Sequence, residues 1–266
     1  MDQNKLYSYP DMERQLKNWS RQYPTDKFQL ESLGFTYGKR RIYACHIGSP
    51  NARHQFAVTA SIHGREYINT TLLLHMINYY LDQPQDNIRI SFIPMANPDG
   101  VAISMNTDAK KWKGNGNGID LNRNFPSGFG LSPDRAKHNP GASPADQLET
   151  KYLMSFVNAL TDPLGIIHYH SRGNLIYFDY NVTGILRNRI EKMAQSAHET
   201  TGYKLVSGTR DTKPAGGYGD WCVYEKEIPS ITIETGFGTT PVPKWQLKSI
   251  CHKNLYLLRD LFPRIL

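Results

Sequence analysis

Cysteine is scarce. Three residues, Cys45, Cys222 and Cys251, are spread over 266 positions, too far apart for a CxxC metal knot and odd in number for a disulfide framework. They read as reduced core residues. Charge of one sign is never concentrated either. Lys and Arg outnumber Asp and Glu to give a formal net charge of +7, yet no basic block is longer than Gly38-Lys39-Arg40-Arg41 or Lys110-Lys111-Trp112-Lys113. Such a dispersed surplus is a solvated surface, and no nucleic-acid partner is expected. No stretch approaches the ~20 apolar residues that span a bilayer, and residues 1–10 lack the cationic start and apolar run of a secretory signal. No membrane partner is expected, and the expected compartment is the cytoplasm. Repeats and low-complexity tracts are also missing.

What is present is an ordinary globular composition, 39% hydrophobic and 21% charged, on a chain long enough to bury a sizeable core. Residues 11–23 read as a helix, and 28–35 and 41–47 as strands able to pair. QFAVTAS at 55–61 is a buried strand by its apolar, β-prone content, followed by a helix over 67–81 that stops at Asp82-Gln83-Pro84. A strand at 88–95 leads into Asn97-Pro98-Asp99-Gly100, a turn by its chemistry. A long Gly-, Asn- and Pro-rich connection follows at 104–144, which by its length is functional or disordered. Helix at 147–160, strands within 165–180, helix at 186–201, the strand SITIE at 230–234 and a closing helix at 244–262 complete the chain. The alternation predicts an α/β fold with a mixed, mainly parallel central sheet and helices on both faces. It is expected as a single catalytic domain over 1–266, with an N-terminal helix and strand segment of about residues 1–50 packed on it.

In open α/β sheets ligands bind outside the carboxyl ends of the strands, so polar residues that end apolar strands are the candidates. Four places qualify: His63 and Glu66 after QFAVTAS, the Asn97–Gly100 turn, His168 and His170 in GIIHYHS, and Glu234 in SITIETG. His63-Gly64-Arg65-Glu66 is an HxxE pair, with a strand-end imidazole and a first-turn carboxylate able to converge on one ion. Two imidazoles and one carboxylate suit a zinc ion whose fourth position stays open for chemistry. A lone HxxE is also compatible with a Glu that serves only the helix N-terminus. His170, nearer the strand end, is the candidate third ligand; His168, one step deeper, reads as a structural core histidine.

Together these residues resemble the zinc carboxypeptidase family. His63-x-x-Glu66, Asn97-Pro98-Asp99-Gly100, Gly118-Ile119-Asp120-Leu121-Asn122-Arg123-Asn124-Phe125-Pro126, His170-Ser171 and Ile231-Thr232-Ile233-Glu234-Thr235-Gly236 follow the family's order over about residues 55–240. The resemblance implies a single Zn2+ on His63, Glu66 and His170. It makes Glu234 the general base that takes a proton from the attacking water and passes it to the leaving amine. Asn122 and Arg123 match the pair that grips the substrate's terminal carboxylate, a task suited to the two-pronged guanidinium. Two departures stand out. The family's oxyanion-stabilising arginine is replaced by Lys113 after Trp112, which still offers a positive charge. The substrate-closing tyrosine of digestive members has no counterpart in Asp211-Thr212-Lys213, leaving Tyr218 as the nearby aromatic.

The set Trp112-Lys113, His170-Ser171-Arg172-Gly173-Asn174 and Gly216-Gly217-Tyr218-Gly219-Asp220-Trp221 looks like the bacterial members that cut the γ-D-glutamyl to meso-diaminopimelate bond of murein peptides. Gly219 stands where digestive members set side-chain preference, and leaves a roomy pocket without a charge. Arg65 is expected to touch substrate or to lie on the surface. Asp179, Asp211 or Asp220 would take the far ammonium of diaminopimelate. The alternatives are a general metallocarboxypeptidase that trims C-terminal residues and an inactive peptide-binding module.

Overall fold

A computed structural model describes residues 2, 5–85, 87–106, 108–131, 138–208 and 213–266. Its first helix, α1 (Tyr9–Gln22), starts where Ser8 and Asp11 cap each other reciprocally, and it buries Met12, Leu16 and Trp19 at helical spacing. Then come β1 (Phe28–Phe35), β2 (Arg41–Ile47), β3 (His54–Ala60), α2 (Ile68–Asp82), β4 (Ile88–Ile93), α3 (Pro98–Asn106), α4 (Leu148–Asn158) and β5 (Pro163–His170). The chain continues through β6 (Leu175–Tyr177), α5 (Gly184–Thr201), β7 (Lys204–Val206), α6 (Tyr218–Tyr224), β8 (Ser230–Glu234), α7 (Leu247–Asn254) and α8 (Leu257–Ile265).

The eight strands form one sheet in the order β1-β2-β4-β3-β5-β8-β6-β7. Its centre, β4-β3-β5-β8, is parallel, and antiparallel pairs join β1, β2 and β6 to it. Side chains alternate between two apolar layers. Tyr43, Cys45, Val58, Ile167 and Ile233 pack on the layer that holds α1, α2, α5, α7 and α8. Ile42, Ala44, Ala57 and Ile166 pack on the layer of α4 and α6. This is the mixed, mainly parallel sheet with helices on both faces that the alternation of elements predicts.

Two expectations are corrected. Asn97-Pro98-Asp99-Gly100 is the start of α3, not a free turn: the Asn97 side chain accepts the Gly100 N–H at 2.8 Å, and Pro98 sits in the first turn where its missing N–H is harmless. The expected closing helix is split, with a 3₁₀ turn at Lys244–Gln246 ahead of α7 and a break before α8. There the Tyr80 hydroxyl, reaching over from α2, accepts the backbone N–H of Arg259 in the first turn of α8 at 3.0 Å. Helix α6 was not foreseen, because its seven residues, YGDWCVY, carry no helical period of their own. Among the described residues no helix is long and apolar enough to cross a membrane.

Candidate active site

The junction after β3 is built by close packing of backbone. Ser61 leaves the strand in the left-handed region (φ 55°), held by its hydroxyl against Thr70 Oγ1 at 2.8 Å and by its carbonyl, which accepts the Asn97 N–H at 3.1 Å. Gly64 follows at a point where a Cβ would lie 2.3 Å from the Gly100 carbonyl oxygen. Only glycine lets the 3₁₀ turn Gly64–Glu66 press against the start of α3. Asn97 locks the same corner, donating to the carbonyls of Ile62 and Gly114 at 3.0 Å each. Helix α2 is buried almost all round, through Leu72, Leu73, Leu74, Met76, Ile77, Tyr80 and Leu81. Glu66 is therefore fixed relative to His63 by the core itself.

His63, Glu66 and His170 are all buried, and one ligand atom from each lies within 4.8 Å of the others. Glu66 bridges the imidazoles: its Oε1 is 2.8 Å from His63 Nδ1 and its Oε2 is 3.0 Å from His170 Nδ1. Burial pushes the Glu66 carboxyl up, but the two imidazoles outweigh it and hold the group below the usual carboxylate range. Two nitrogens and a carboxylate, converging and buried, match the donor set and number of a zinc site with an open position. Asp120 supports it from behind. Its Oδ1 lies 3.1 Å from His63 Nε2, leaving Nδ1 for an ion, as ligand histidines require.

Asp120 also gathers a lysine and a second histidine. Lys113 Nζ donates to its Oδ2 at 2.5 Å, and His138 Nδ1 lies 3.1 Å from the same oxygen and 2.9 Å from Lys113 Nζ. Burial opposes ionisation of Asp120, yet His63 and Lys113 hold its carboxyl well below the ordinary value. Glu234 ends β8 in register with His170 on β5. Its Oε2 is buried without a hydrogen-bond partner. Burial first, then the Glu66 charge, push its carboxyl up to about 8, against the pull of His63, Lys113 and Arg65. Arg65 is half-buried, with its Nε unpartnered, and its charge is felt by Glu234.

Beyond His170 a cavity of about 470 Å³ runs past Asn122, Arg123, Asp179, Tyr180, Gly219 and Asp220. The Asn122 side chain accepts the Tyr218 N–H at 2.8 Å, tying the Asn-Arg segment to the start of α6. Tyr218 itself is a correction. It is 2% exposed, stacked on Phe125 with ring centres 5.0 Å apart, so its ring fills the interior and does not close over a substrate. Asp179 is neutralised by Arg187 at 2.9 Å, and Asp211 lies outside the described residues. Asp220 is different: its Oδ2 accepts backbone N–H groups of Ala215 and Gly217, and it has no ion pair among the described residues. Asp120 and His138 were passed over by sequence reasoning. Nothing in local spacing marks their place at the site: Asp120 meets the candidate ligand His63 from 57 residues away, and His138 meets Lys113 from 25 residues away.

The fold is that of known peptidases. The carboxypeptidase A of Helicoverpa armigera superimposes with a TM-score of 0.87 at 17% identity, over 100% of this chain and 75% of that one. The murein-tripeptide amidase MpaA of Escherichia coli O157 gives 0.57 at 18% identity, over 89% and 92%. Fold and buried His-Glu-His cluster together define a zinc metallopeptidase. Residues 12–257 match the sequence model of the zinc carboxypeptidases, and the chain belongs to that family. A relative along most of the chain is the gamma-D-glutamyl-L-diamino acid endopeptidase 1 of Lysinibacillus sphaericus, 26% identical over 288 residues, 94% of this chain and 70% of the relative.

Proposed function

We propose that this peptidase hydrolyses the γ-D-glutamyl to meso-diaminopimelate bond of murein peptides, with His63, Glu66 and His170 holding a single zinc ion. Bound there, zinc supplies a Lewis acid that makes water nucleophilic near neutral pH. Glu234 takes the proton of the attacking water and hands it to the leaving amine. The Lys113 ammonium, steadied by Asp120 and His138, sets a positive charge against the oxygen that becomes anionic. Arg123 and Asn122 receive the free carboxylate next to the scissile bond, and Arg65, whose charge Glu234 feels, touches the substrate from the Glu234 side.

The observation that carries the substrate class is the cavity beyond Arg123. It is roomy, it sets Asn122, Arg123, His168, Asp220 and Thr232 among aromatic walls, and Gly219 and Asp220 stand where a hydrophobic pocket would need bulk. Diaminopimelate carries a second amino-acid centre at the end of its side chain, and Asp220 offers a carboxylate for that ammonium. The names of the Lysinibacillus relative and of the E. coli amidase support the same class. The chain 1–266 is proposed to work as one catalytic unit, residues 1–50 included, in the cytoplasm on recycled peptides; cell fractionation tests the last point. The decisive experiment incubates the zinc-loaded enzyme with peptide panels with and without diaminopimelate and identifies products by mass spectrometry. Cleavage at the γ-D-glutamyl bond is expected. Uniform trimming of ordinary C-terminal residues would instead make it a general carboxypeptidase.

A further inference from the structure

The cavity beyond Arg123 ends on the sheet itself. Thr59 of β3, His168 of β5 and Thr232 of β8 stand in register across three neighbouring strands, so their side chains project from one face. His168 is 2% exposed, and its ring forms part of the cavity wall. Its Nδ1 lies 3.1 Å from Thr59 Oγ1, whereas its Nε2 is buried with no hydrogen-bond partner. Buried polar atoms are normally paired, because leaving one unmet forfeits its hydration with nothing in return. An unmet ring nitrogen beside a cavity points to a ligand that supplies the missing bond.

Gly219 leaves that nitrogen within reach. A Cβ at this position would lie 2.7 Å from the Tyr180 hydroxyl, 3.5 Å from His168 Cδ2, the ring atom bonded to Nε2, and 3.7 Å from Thr232 Oγ1. Any side chain there would occupy the point on which a phenol, an imidazole and a threonine hydroxyl converge. With glycine, the tip of a substrate side chain takes that place.

We propose that His168 is a specificity-determining residue. Its Nε2, with the Tyr180 and Thr232 hydroxyls, binds a hydrogen-bonding terminus on the side chain of the residue released with the free carboxylate. Amine-, amide- or carboxyl-tipped side chains are thereby selected over hydrocarbon ones. The structural role read for His168 from sequence alone is thus extended to substrate contact. The inference rests on the peptidase reading above and specifies what the far end of the substrate meets.

The test uses zinc-loaded enzyme and three peptides that differ only in their final residue: meso-diaminopimelate, lysine, or norleucine, which matches the lysine chain without its amine. Wild type is expected to favour the polar-tipped peptides over norleucine at least tenfold in kcat/KM, since sites built for hydrogen bonds reject analogues that lack them. His168→Leu should lower that ratio at least tenfold, chiefly through KM of the polar-tipped peptides, with zinc content kept at one ion per chain. A purely structural role would lower all three alike, and an unmoved ratio overturns the proposal, as does a wild-type preference for norleucine. If His168→Leu fails to fold or loses zinc, Gly219→Ala decides on the same ratio, because it leaves β5 intact and blocks the convergence point. Preference for lysine over diaminopimelate would sink the murein reading and leave the His168 assignment standing. Preference for diaminopimelate with a ratio that neither variant moves would do the reverse.

Discussion

Glu234→Gln preserves shape while removing a charge and a proton carrier, and it separates two properties that share this carboxylate. The group is not among the three converging ligand atoms, so zinc content should stay at one per chain. Turnover should not survive: a positioned general base contributes about 10²–10⁴-fold, and kcat on a diaminopimelate peptide is expected to fall by about 10³. The second property is stability of the metal-free protein. Burial and the nearby Glu66 raise the carboxyl from 4.5 to about 8, so the folded chain resists an ionisation that the unfolded chain accepts. Stability is therefore full below the unfolded value and is lost as pH rises through the folded one. At pH 7, roughly 2.5 above the unfolded value, that loss is at most about 3–4 kcal/mol at ~1.4 kcal/mol per pH unit, trimmed by solvent entering the cleft.

Urea unfolding of metal-free wild type at pH 5, 6, 7 and 8 should show this decline, and Glu234→Gln should flatten it. A bound cation offsets the same ionisation, so zinc affinity should climb more steeply with pH in wild type than in the variant. The reasoning is refuted if Glu234→Gln keeps near-normal turnover with zinc bound, or if the two stability profiles have the same slope.

Asp120→Asn removes the anion behind His63 Nε2 and Lys113 and should weaken zinc binding by about 10–100-fold, read by titration against a competing chelator. Gly64→Ala drives a methyl into the Gly100 carbonyl and should cost about 2–4 kcal/mol, measured by denaturant unfolding. Arg123→Lys keeps the charge but loses the two-pronged grip; kcat/KM for peptides with a free carboxylate should drop about 10–100-fold, and amidated peptides should feel the change far less. Chelation of the metal should abolish hydrolysis and lower the melting temperature, since an ion at 1,000 times its Kd contributes about 4 kcal/mol.

How much of this was legible in the sequence follows from how local each cause is. Strands β1, β2 and β8 have the limits expected from their β-prone runs, because turn residues bound them on both sides. His63, Glu66 and His170 were singled out because each sits at a strand end or just beyond, and the fold brings their ligand atoms together. Asn97-Pro98-Asp99-Gly100 misled because the same residues serve a turn or a helix start. What decides is distant: Asp99 is held by Arg40 at 2.8 Å and by the Gly38 N–H at 2.8 Å, from the β1–β2 connection. Tyr218 misled for a similar reason, since nothing near it in sequence announces the Phe125 ring on which it lies.

Strand register links the reacting centre to the pocket. His168 and His170 share a face of β5, Thr232 and Glu234 share the same face of β8, and the rows Thr59–His168–Thr232 and His170–Glu234 are successive cross-strand pairs on that face. One row carries a metal ligand and the base; the row behind it floors the cavity. A slip of β5 by a single residue would turn Tyr169 and Ile167 toward the cleft and bury both histidines in the opposite apolar layer. That register is enforced by Ile166 packing with α4 and α6 on one side and by Ile167 and Tyr169 packing with the larger helical layer on the other. The hydrophobic alternation that makes β5 a buried strand is thus the same feature that aims His170 at the ion and His168 at the substrate's side chain, so reaction and selectivity are positioned by one constraint.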